Sequence, residues 1–528
     1  MLVSRPDIAH SVTRGAFYLA IEKVAALVSG TIFFVVMLRL LGPTKYGLMT
    51  LALSIVALAT MATGNFEMFL ERYAAEYHAH DRLLTLRRAQ RLSLALKLGL
   101  GVIAGLGLIA FAPLLAHQFG APELGILLPL LAVTVAGDGF ATTGRAVMYG
   151  LQRFREMTLL SVLFHVAKIA LVCSLWFMRQ GLVGLTVGLA AITLAFGIAQ
   201  TVVPLWMLRH ARDADASAST PEPGSMLRSI LAYCTPLMGA RITFLTGQNL
   251  GKVVLGKLFA PALLGYYSFA FQTIERFVEL VYILPASLLP SLTQLVARGE
   301  RGRLRLVFDR SHRLIQIASC AVSLVLFVFA REITLLVGSP LFEPAIPVLR
   351  LLALVPLART AQLPLAMLFQ ALRLPGTVLT LDLLKFVVEF GSYFVLIPWL
   401  GLNGAGLANV LGAFVAYVIA LWLLARTFPE GASERRGTVL QSLALFAPAL
   451  LAGWLADVYA PPAWSLGLRV AIVVLALLGV FAFGLVNRPD LERFSQIPLA
   501  SAWMQRTRDA LVAIARGLTR FALPRSAS

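Results

Sequence analysis

The sequence predicts an all-α membrane protein of about fourteen transmembrane helices, arranged as two parallel six-helix lobes around a central cavity plus two extra C-terminal helices. Three observations carry that expectation. Of the 528 residues, 59% are hydrophobic and only 13% charged, and the mean hydropathy is +0.82. An ordinary soluble domain carries about 25% charged residues and about 45–50% apolar ones. Apolar runs of about 18 residues or more, the length that crosses a bilayer, recur along the whole chain. Basic residues gather in alternate connecting segments, as they do in multi-spanning proteins. Together these exclude a soluble enzyme, a disordered chain, a coiled coil and a disulfide scaffold.

The candidate spans lie near 15–38, 47–69, 92–112, 124–146, 158–178, 182–207 and 230–256, then 264–289, 314–330, 345–371, 377–398, 402–425, 438–458 and 466–486. Each covers, or nearly covers, about 30 Å of hydrocarbon at about 1.5 Å per residue. The first run contains Glu22 and Lys23 and continues far past the core of a signal peptide, so it reads as a retained span. Nothing alternates in polarity over about ten residues as a membrane β-barrel strand would.

Charge orients the chain. The segments after even-numbered spans, with both termini, hold 29 of the 45 basic residues, and the segments after odd-numbered spans hold 5. By the positive-inside rule both termini are cytoplasmic. The net charge of +19 is therefore read as topology, with no nucleic-acid partner. The basic run 298–313 reads as a solvated topology anchor. Cys173, Cys234 and Cys320 sit inside apolar runs without metal-ligand spacing and read as small buried hydrophobes, with no metal and no cofactor.

The chain repeats itself. Leu41-Gly42-Pro43-Thr44-Lys45-Tyr46-Gly47 follows span 1, and Phe259-Ala260-Pro261-Ala262-Leu263-Leu264-Gly265 follows span 7, with Pro43 and Pro261 218 residues apart. Gly181-Leu182-Val183-Gly184 opens span 6 and Gly401-Leu402-Asn403-Gly404 opens span 12, 220 residues apart. An even number of spans per repeat makes the lobes parallel, with a pseudo-two-fold axis along the membrane normal. The expected organisation is an N-terminal lobe (1–212), a cytoplasmic Ser/Ala/Pro-rich linker (213–228), a C-terminal lobe (229–426), two further helices (427–487) and a tail (488–528). In the tail, Trp503, Thr507, Leu511, Ile514, Leu518 and Phe521 share a helical face largely free of arginine, the pattern of a basic amphipathic helix lying on anionic lipid.

At these residues the chain resembles a family. Arg39-Leu40-Leu41-Gly42-Pro43-Thr44-Lys45-Tyr46-Gly47, the joint Gly150-Leu151-Gln152-Arg153-Phe154 and the joint Pro398-Trp399-Leu400-Gly401-Leu402-Asn403-Gly404-Ala405 are similar to elements of the polysaccharide transporters. These are the O-antigen and exopolysaccharide flippases of the multidrug/oligosaccharidyl-lipid/polysaccharide exporter superfamily. The second copy of the first element departs from the pattern, with Leu264 where Tyr46 stands. The resemblance implies a monomeric flippase, not an enzyme, in the bacterial inner membrane. It implies alternating access, undecaprenyl-pyrophosphate-linked oligosaccharide as substrate, and a polysaccharide polymerase and chain-length regulator as candidate partners alongside membrane lipids.

A charge at the centre of a span costs about 2.5–3.5 kcal/mol on insertion scales, so intramembrane charges face protein or water. The deeper cations are Lys23, Arg145, Lys168, Arg241, Lys252, Arg276, Arg359 and Lys385. With Gln248 they are the candidates for a cationic substrate cavity, because Arg offers a forked donor and Lys a point charge to a diphosphate. Lys97, Arg350 and Arg469 lie nearer span ends and read as snorkelling. Arg241, Gln248 and Lys252 share one stripe of span 7, with no acid on that stripe. Glu22, Asp138, Glu275, Glu279, Asp382 and Glu389 are candidates for carrying a coupling ion, and their positions do not choose among them. Ion pairs that only lock helices together are the competing reading, strongest where acids and bases mix in spans 8 and 11. His165, with Ser161 and Lys168 on one face of span 5, reads first as a packing histidine and second as a titrating group. Two other functions stay open: a drug or cation exporter of the same superfamily, and a membrane-embedded polysaccharide polymerase or glycosyltransferase. The latter lacks a long external loop rich in carboxylates or histidines.

The charge asymmetry predicts the labelling of single cysteines in a background without the three native ones. Cysteines at Ser339 and Pro461 label in intact cells with an impermeant maleimide, and one at Gly302 labels only after permeabilisation; labelling of Gly302 from outside reverses the orientation.

Overall fold

The computed structural model describes residues 5–80, 82–178, 181–209, 223–282, 288–486 and 509. These residues form helices and contain no β-strand. The linker residues 213–222 and nearly all of the 488–528 tail lie outside the described residues, and with them the amphipathic helix expected there. Among the described residues, eleven helices are long and apolar enough to cross a membrane, the long first helix counting once.

The chain divides into two compact units, Met1–Ser268 with Val337–Leu341, and Phe269–Leu336 with Phe342–Ser528. The first holds α1 (Arg5–Ala59), α2 (Phe66–Ala79), α3 (Leu83–Gln118), α4 (Leu124–Gly150), α5 (Phe154–Phe177), α6 (Leu182–Met207), α7 (Pro223–Leu258) and the start of α8 (Pro261–Val281). Helix α1 contains the first expected span and most of the second. At Gly42 it adopts φ 66°, ψ 177°, and Pro43 follows without an N–H to donate, so the helix kinks there. The expected second span, 47–69, is interrupted. A 3-10 turn at Thr60–Thr63 and Gly64 at φ 76° end it, and α2 starts afresh at Phe66. The two joints singled out in the sequence are turns. Gln152 takes φ 56° between α4 and α5, and Gly401 takes φ 56° before the later helix Leu402–Thr427.

Helix α4 lies at the centre of the first unit, packed on α3, α6 and α2, while α1 packs on α5 and α7. One apolar cluster joins Phe66, Phe69 and Leu70 of α2, Leu86 of α3, Val147 of α4, and Met226, Ile230 and Cys234 of α7. The sequence reading opened the second lobe with this seventh span, yet α7 packs into the first unit. Apolar side chains on the outer faces remain uncovered, including Val102, Ile103, Leu106 and Phe111 on α3. Such a surface suits hydrocarbon rather than water.

The second unit holds the rest of α8, α9 (Leu288–Ala297), α10 (Arg301–Val328), α11 (Ala330–Ile333), α12 (Ile346–Leu352), α13 (Val355–Arg359), α14 (Leu363–Ala371), α15 (Pro375–Leu400), α16 (Leu402–Thr427), α17 (Ala432–Tyr459) and α18 (Pro462–Ala482). The single expected span at 345–371 is three short helices in series, α12 to α14; Pro356 and Pro364 open the second and third. Helices α17 and α18, outside the sequence repeat, close a core of Cys320, Leu324 and Val328 of α10 with Phe446, Val473, Ala476 and Val480.

Within the first unit the two copies of the repeated element meet. A Cβ on Gly47 would lie 1.9 Å from the Pro261 carbonyl oxygen, and one on Gly265 would lie 2.0 Å from the Pro43 oxygen. Each glycine thus seats the backbone of the other copy, the close approach that only small residues permit. We expect Gly47→Ala and Gly265→Ala each to cost about 1–3 kcal/mol, because a backbone oxygen cannot rotate away. Thermal unfolding of the detergent-purified protein measures this. Gly99→Ala, where nothing lies within 4 Å, is the control that leaves stability unchanged or slightly raised.

Candidate functional site

A cavity of about 500 Å³ opens in the first unit, walled by one face each of α1, α4, α5 and α6. Helical spacing builds it: Leu19, Glu22, Lys23 and Ala26 from α1, Asp138, Ala141, Thr142 and Arg145 from α4, Ser161, Phe164 and His165 from α5, and Thr193, Phe196, Gly197 and Gln200 from α6. Arg145 pairs with Glu22 at 2.8 Å, with side-chain exposures of 49% and 7%. Ser161 donates to the same Glu22 oxygen at 3.1 Å. The other Glu22 oxygen, Oε2, is buried without a partner among the described residues. His165 Nδ1 shares a 2.8 Å hydrogen bond with Ser29 of α1. One cation of the pair is therefore half open to the cavity, while its carboxylate partner is enclosed.

Behind the α4 wall lies a second charge group. Lys97, 1% exposed, donates to Glu67 Oε2 and to Thr142 Oγ1, both at 2.7 Å, and stands 3.9 Å from Asp138. The other Glu67 oxygen accepts from Arg241 at 2.5 Å, and Arg241 also donates to Asn65 Oδ1. Glu67 thus joins α2 to α3 and α7, and Thr142 connects the group to the cavity.

This placement corrects the snorkelling reading of three residues. Lys97 does not snorkel; it is buried and paired. Arg469 and Arg350 do not snorkel either. Arg469 binds Glu332 at 2.6 Å and Asp457 at 3.0 Å, and Arg350 pairs with the same Asp457. The span 7 stripe carries no acid of its own, but Arg241 meets one because Glu67 arrives from another helix. Glu67 was overlooked because its sequence position, near the end of an assumed span, carries no helical stripe of its own. The polar Asn65-Phe66-Glu67 step directly after Gly64, inside an apolar run, was the available signal.

The other candidates divide between the two units. Lys168 stacks on the Phe33 ring at 4.1 Å. Lys252 is buried, and eleven residues of helix separate it from Arg241, about 16 Å along the axis, too far for one phosphate. Gln248 lies half-buried between them. In the second unit Glu275 pairs with Arg359, and Lys385 is in electrostatic contact with Arg359, Glu389, Glu275 and Asp382. Glu389 accepts from Tyr393 at 2.7 Å and from Asn409 at 2.6 Å. Arg276 and Glu279 pair along their own helix at 3.0 Å. Among the described residues no group of His, Cys, Asp and Glu is arranged to hold a metal ion.

A sequence profile described as polysaccharide biosynthesis protein matches residues 36–347. Among solved structures, the chain is similar to an inward-facing multidrug resistance MATE family transporter of the MOP superfamily. That match has TM-score 0.63 and 18% identity, over 80% of this chain and 99% of that one. It is similar to the lipid II flippase MurJ in an inward closed conformation with TM-score 0.62 and 14% identity, over 88% of this chain and 97% of that one. An outward-facing MATE transporter matches with TM-score 0.54 and 16% identity, over 80% and 96% of the two chains. No curated protein sequence matches the chain. The chain thus shares its fold with these MATE and MurJ structures.

The shared carboxylate makes a stability prediction. Glu67→Gln leaves Lys97 buried without its ion pair and Arg241 without its own, and we expect a loss of about 3–5 kcal/mol, read as a lowered unfolding temperature in detergent. Glu279→Gln, whose side chain is 45% exposed, changes stability by less than about 1 kcal/mol.

Proposed function

Because the chain belongs to the polysaccharide biosynthesis protein family, we propose that it moves an oligosaccharide linked to undecaprenyl pyrophosphate across the bacterial inner membrane, for O-antigen or exopolysaccharide assembly. Both termini are cytoplasmic in this reading. The transporter works as a monomer by alternating access and delivers its substrate to a polymerase and chain-length regulator. The Arg145–Glu22 pair in the first-unit cavity is the observation that carries the proposal. A diphosphate cannot cross hydrocarbon unaided, and a half-exposed guanidinium in the membrane offers it a forked, charge-matched donor. Glu22 engages that donor in the structure. A proton on Glu22 weakens its hold and frees Arg145 for phosphate, and loss of the proton returns Glu22 to compete. Lys23, lining the same cavity, adds a second cation, and Gln200 and Thr193 add hydrogen-bonding groups. The likeness in fold to a lipid II flippase supports the substrate class.

A second reading has its own observation. Glu22 and Asp138 share the cavity with Phe164 and Phe196, a combination of acid and aromatic that suits a lipophilic cation.

Proteoliposomes decide between them. With a fluorescent pyrophosphate-linked oligosaccharide in one leaflet, we expect the wild-type protein to move it to the other. Arg145→Gln lowers the rate at least tenfold at unchanged protein level, and Arg145→Lys retains part of it. Glu22→Gln keeps transport but removes its dependence on a pH gradient. Wild-type vesicles that leave the lipid-linked sugar in place and accumulate a cationic dye instead establish the exporter reading.

A further inference from the structure

We propose that the second unit carries a separate lipid site, in a cavity of about 690 Å³ between the first turns of α10 and α17. It binds the phosphate of an anionic phospholipid with a hydroxylated headgroup. The inference is independent of the transported substrate. Among the described residues Arg305, Arg310, Arg313 and Arg435 line the cavity beside Asp309, Glu430 and Glu434. The carboxylates are engaged by arginine in two cases: Asp309 accepts from Arg435 at 2.8 Å and from Arg305 at 3.4 Å, and Glu434 lies 3.6 Å from Arg305. Four guanidinium groups around one cavity suit an anion, and phosphate in particular.

His312 supplies the second, independent observation. It lines the cavity, is 1% exposed, and its Nδ1 has no partner among the described residues. Tyr417 donates its hydroxyl hydrogen to Gln316 at 2.6 Å, so it accepts from His312 Nε2 at 3.3 Å. That fixes the proton of the neutral ring on Nε2 and leaves Nδ1 as an acceptor. Phe308 and Tyr417 stack on the imidazole at 5.9 and 6.5 Å between centroids and hold its orientation. A buried acceptor without a donor is costly, and a headgroup hydroxyl beside the phosphate satisfies it. Two aliphatic residues, Leu306 and Val307, also line the cavity, and Leu306 is 71% exposed. An acyl chain covers such a leucine; a free phosphate leaves it bare.

Native mass spectrometry of the full-length protein, titrated with phosphatidylglycerol, phosphatidic acid, phosphatidylcholine and, separately, inorganic pyrophosphate, tests the site. The expected result is at least fivefold more retained phosphatidylglycerol than phosphatidylcholine, and more phosphatidylglycerol than phosphatidic acid. Arg313→Gln and Leu306→Gln each reduce phosphatidylglycerol retention at least threefold. Leu306 faces outward, so its variant keeps the wild-type unfolding temperature. His312→Phe keeps the stack but abolishes the preference for phosphatidylglycerol over phosphatidic acid. Equal retention of phosphatidylglycerol and phosphatidylcholine overturns the proposal, as does retention unaffected by Leu306→Gln. Pyrophosphate binding that Leu306→Gln leaves intact and phosphatidylglycerol fails to displace assigns the cavity to a soluble phosphate and overturns the lipid.

Discussion

Hydrocarbon offers a charge no partner, and the arrangement of this protein follows from that constraint. Among the described residues, each deeply buried cation with a defined ion pair meets its acid on another helix. Glu67 of α2 serves Lys97 of α3 and Arg241 of α7, and Asp457 of α17 serves Arg350 of α12 and Arg469 of α18. An acid shared by two bases ties three helices at once. The cost of leaving either base bare is several kcal/mol, so these pairs select one packing over its near neighbours. They do so without the directional help that water gives soluble proteins.

Backbone geometry supplies the second constraint. The Gly47 and Gly265 copies of one repeated element seat each other's chain, with reciprocal approaches to Pro261 and Pro43. Reciprocity is what a local two-fold relation produces, and the 218-residue spacing of the prolines is its trace in the sequence. The contact is made of backbone and small residues, as helix associations in lipid commonly are, because side-chain burial gains nothing there. Helices α17 and α18 have no counterpart in the repeat and instead close the α10 core, which fits a supporting role.

The cavity in the first unit differs from these locks in one respect. The Arg145 side chain is half exposed while that of Glu22 is enclosed, and one Glu22 oxygen has no partner among the described residues. A lock is enclosed on both sides and fully satisfied, as Lys97 with Glu67 and Thr142 nearly is. A pair open on the cationic side can exchange its carboxylate for another anion. That contrast, rather than the number of cations, separates a site for a passing ligand from structural pairing.

The sequence by itself determined what depends on composition and local periodicity. The apolar runs that became long helices and the turn joints at Gln152 and Gly401 were legible, since each rests on a few consecutive residues, whereas the connection expected at Gly42-Pro43 is a kink within one long helix. So was the membership of helical faces: Glu22 with Lys23, and Asp138 with Thr142 and Arg145, line the same cavity because 3.6-residue spacing places them there. The partner of each charge was not legible. Glu67 reaches Arg241 across 174 residues and Asp457 reaches Arg350 across 107, and no spacing rule spans such distances. The seventh span joined the first unit for the same reason: Met226, Ile230 and Cys234 find their apolar partners on α2, α3 and α4. Only the tertiary structure decided which cations are locked and which face a cavity, because that depends on helices packing side by side rather than on residues following one another.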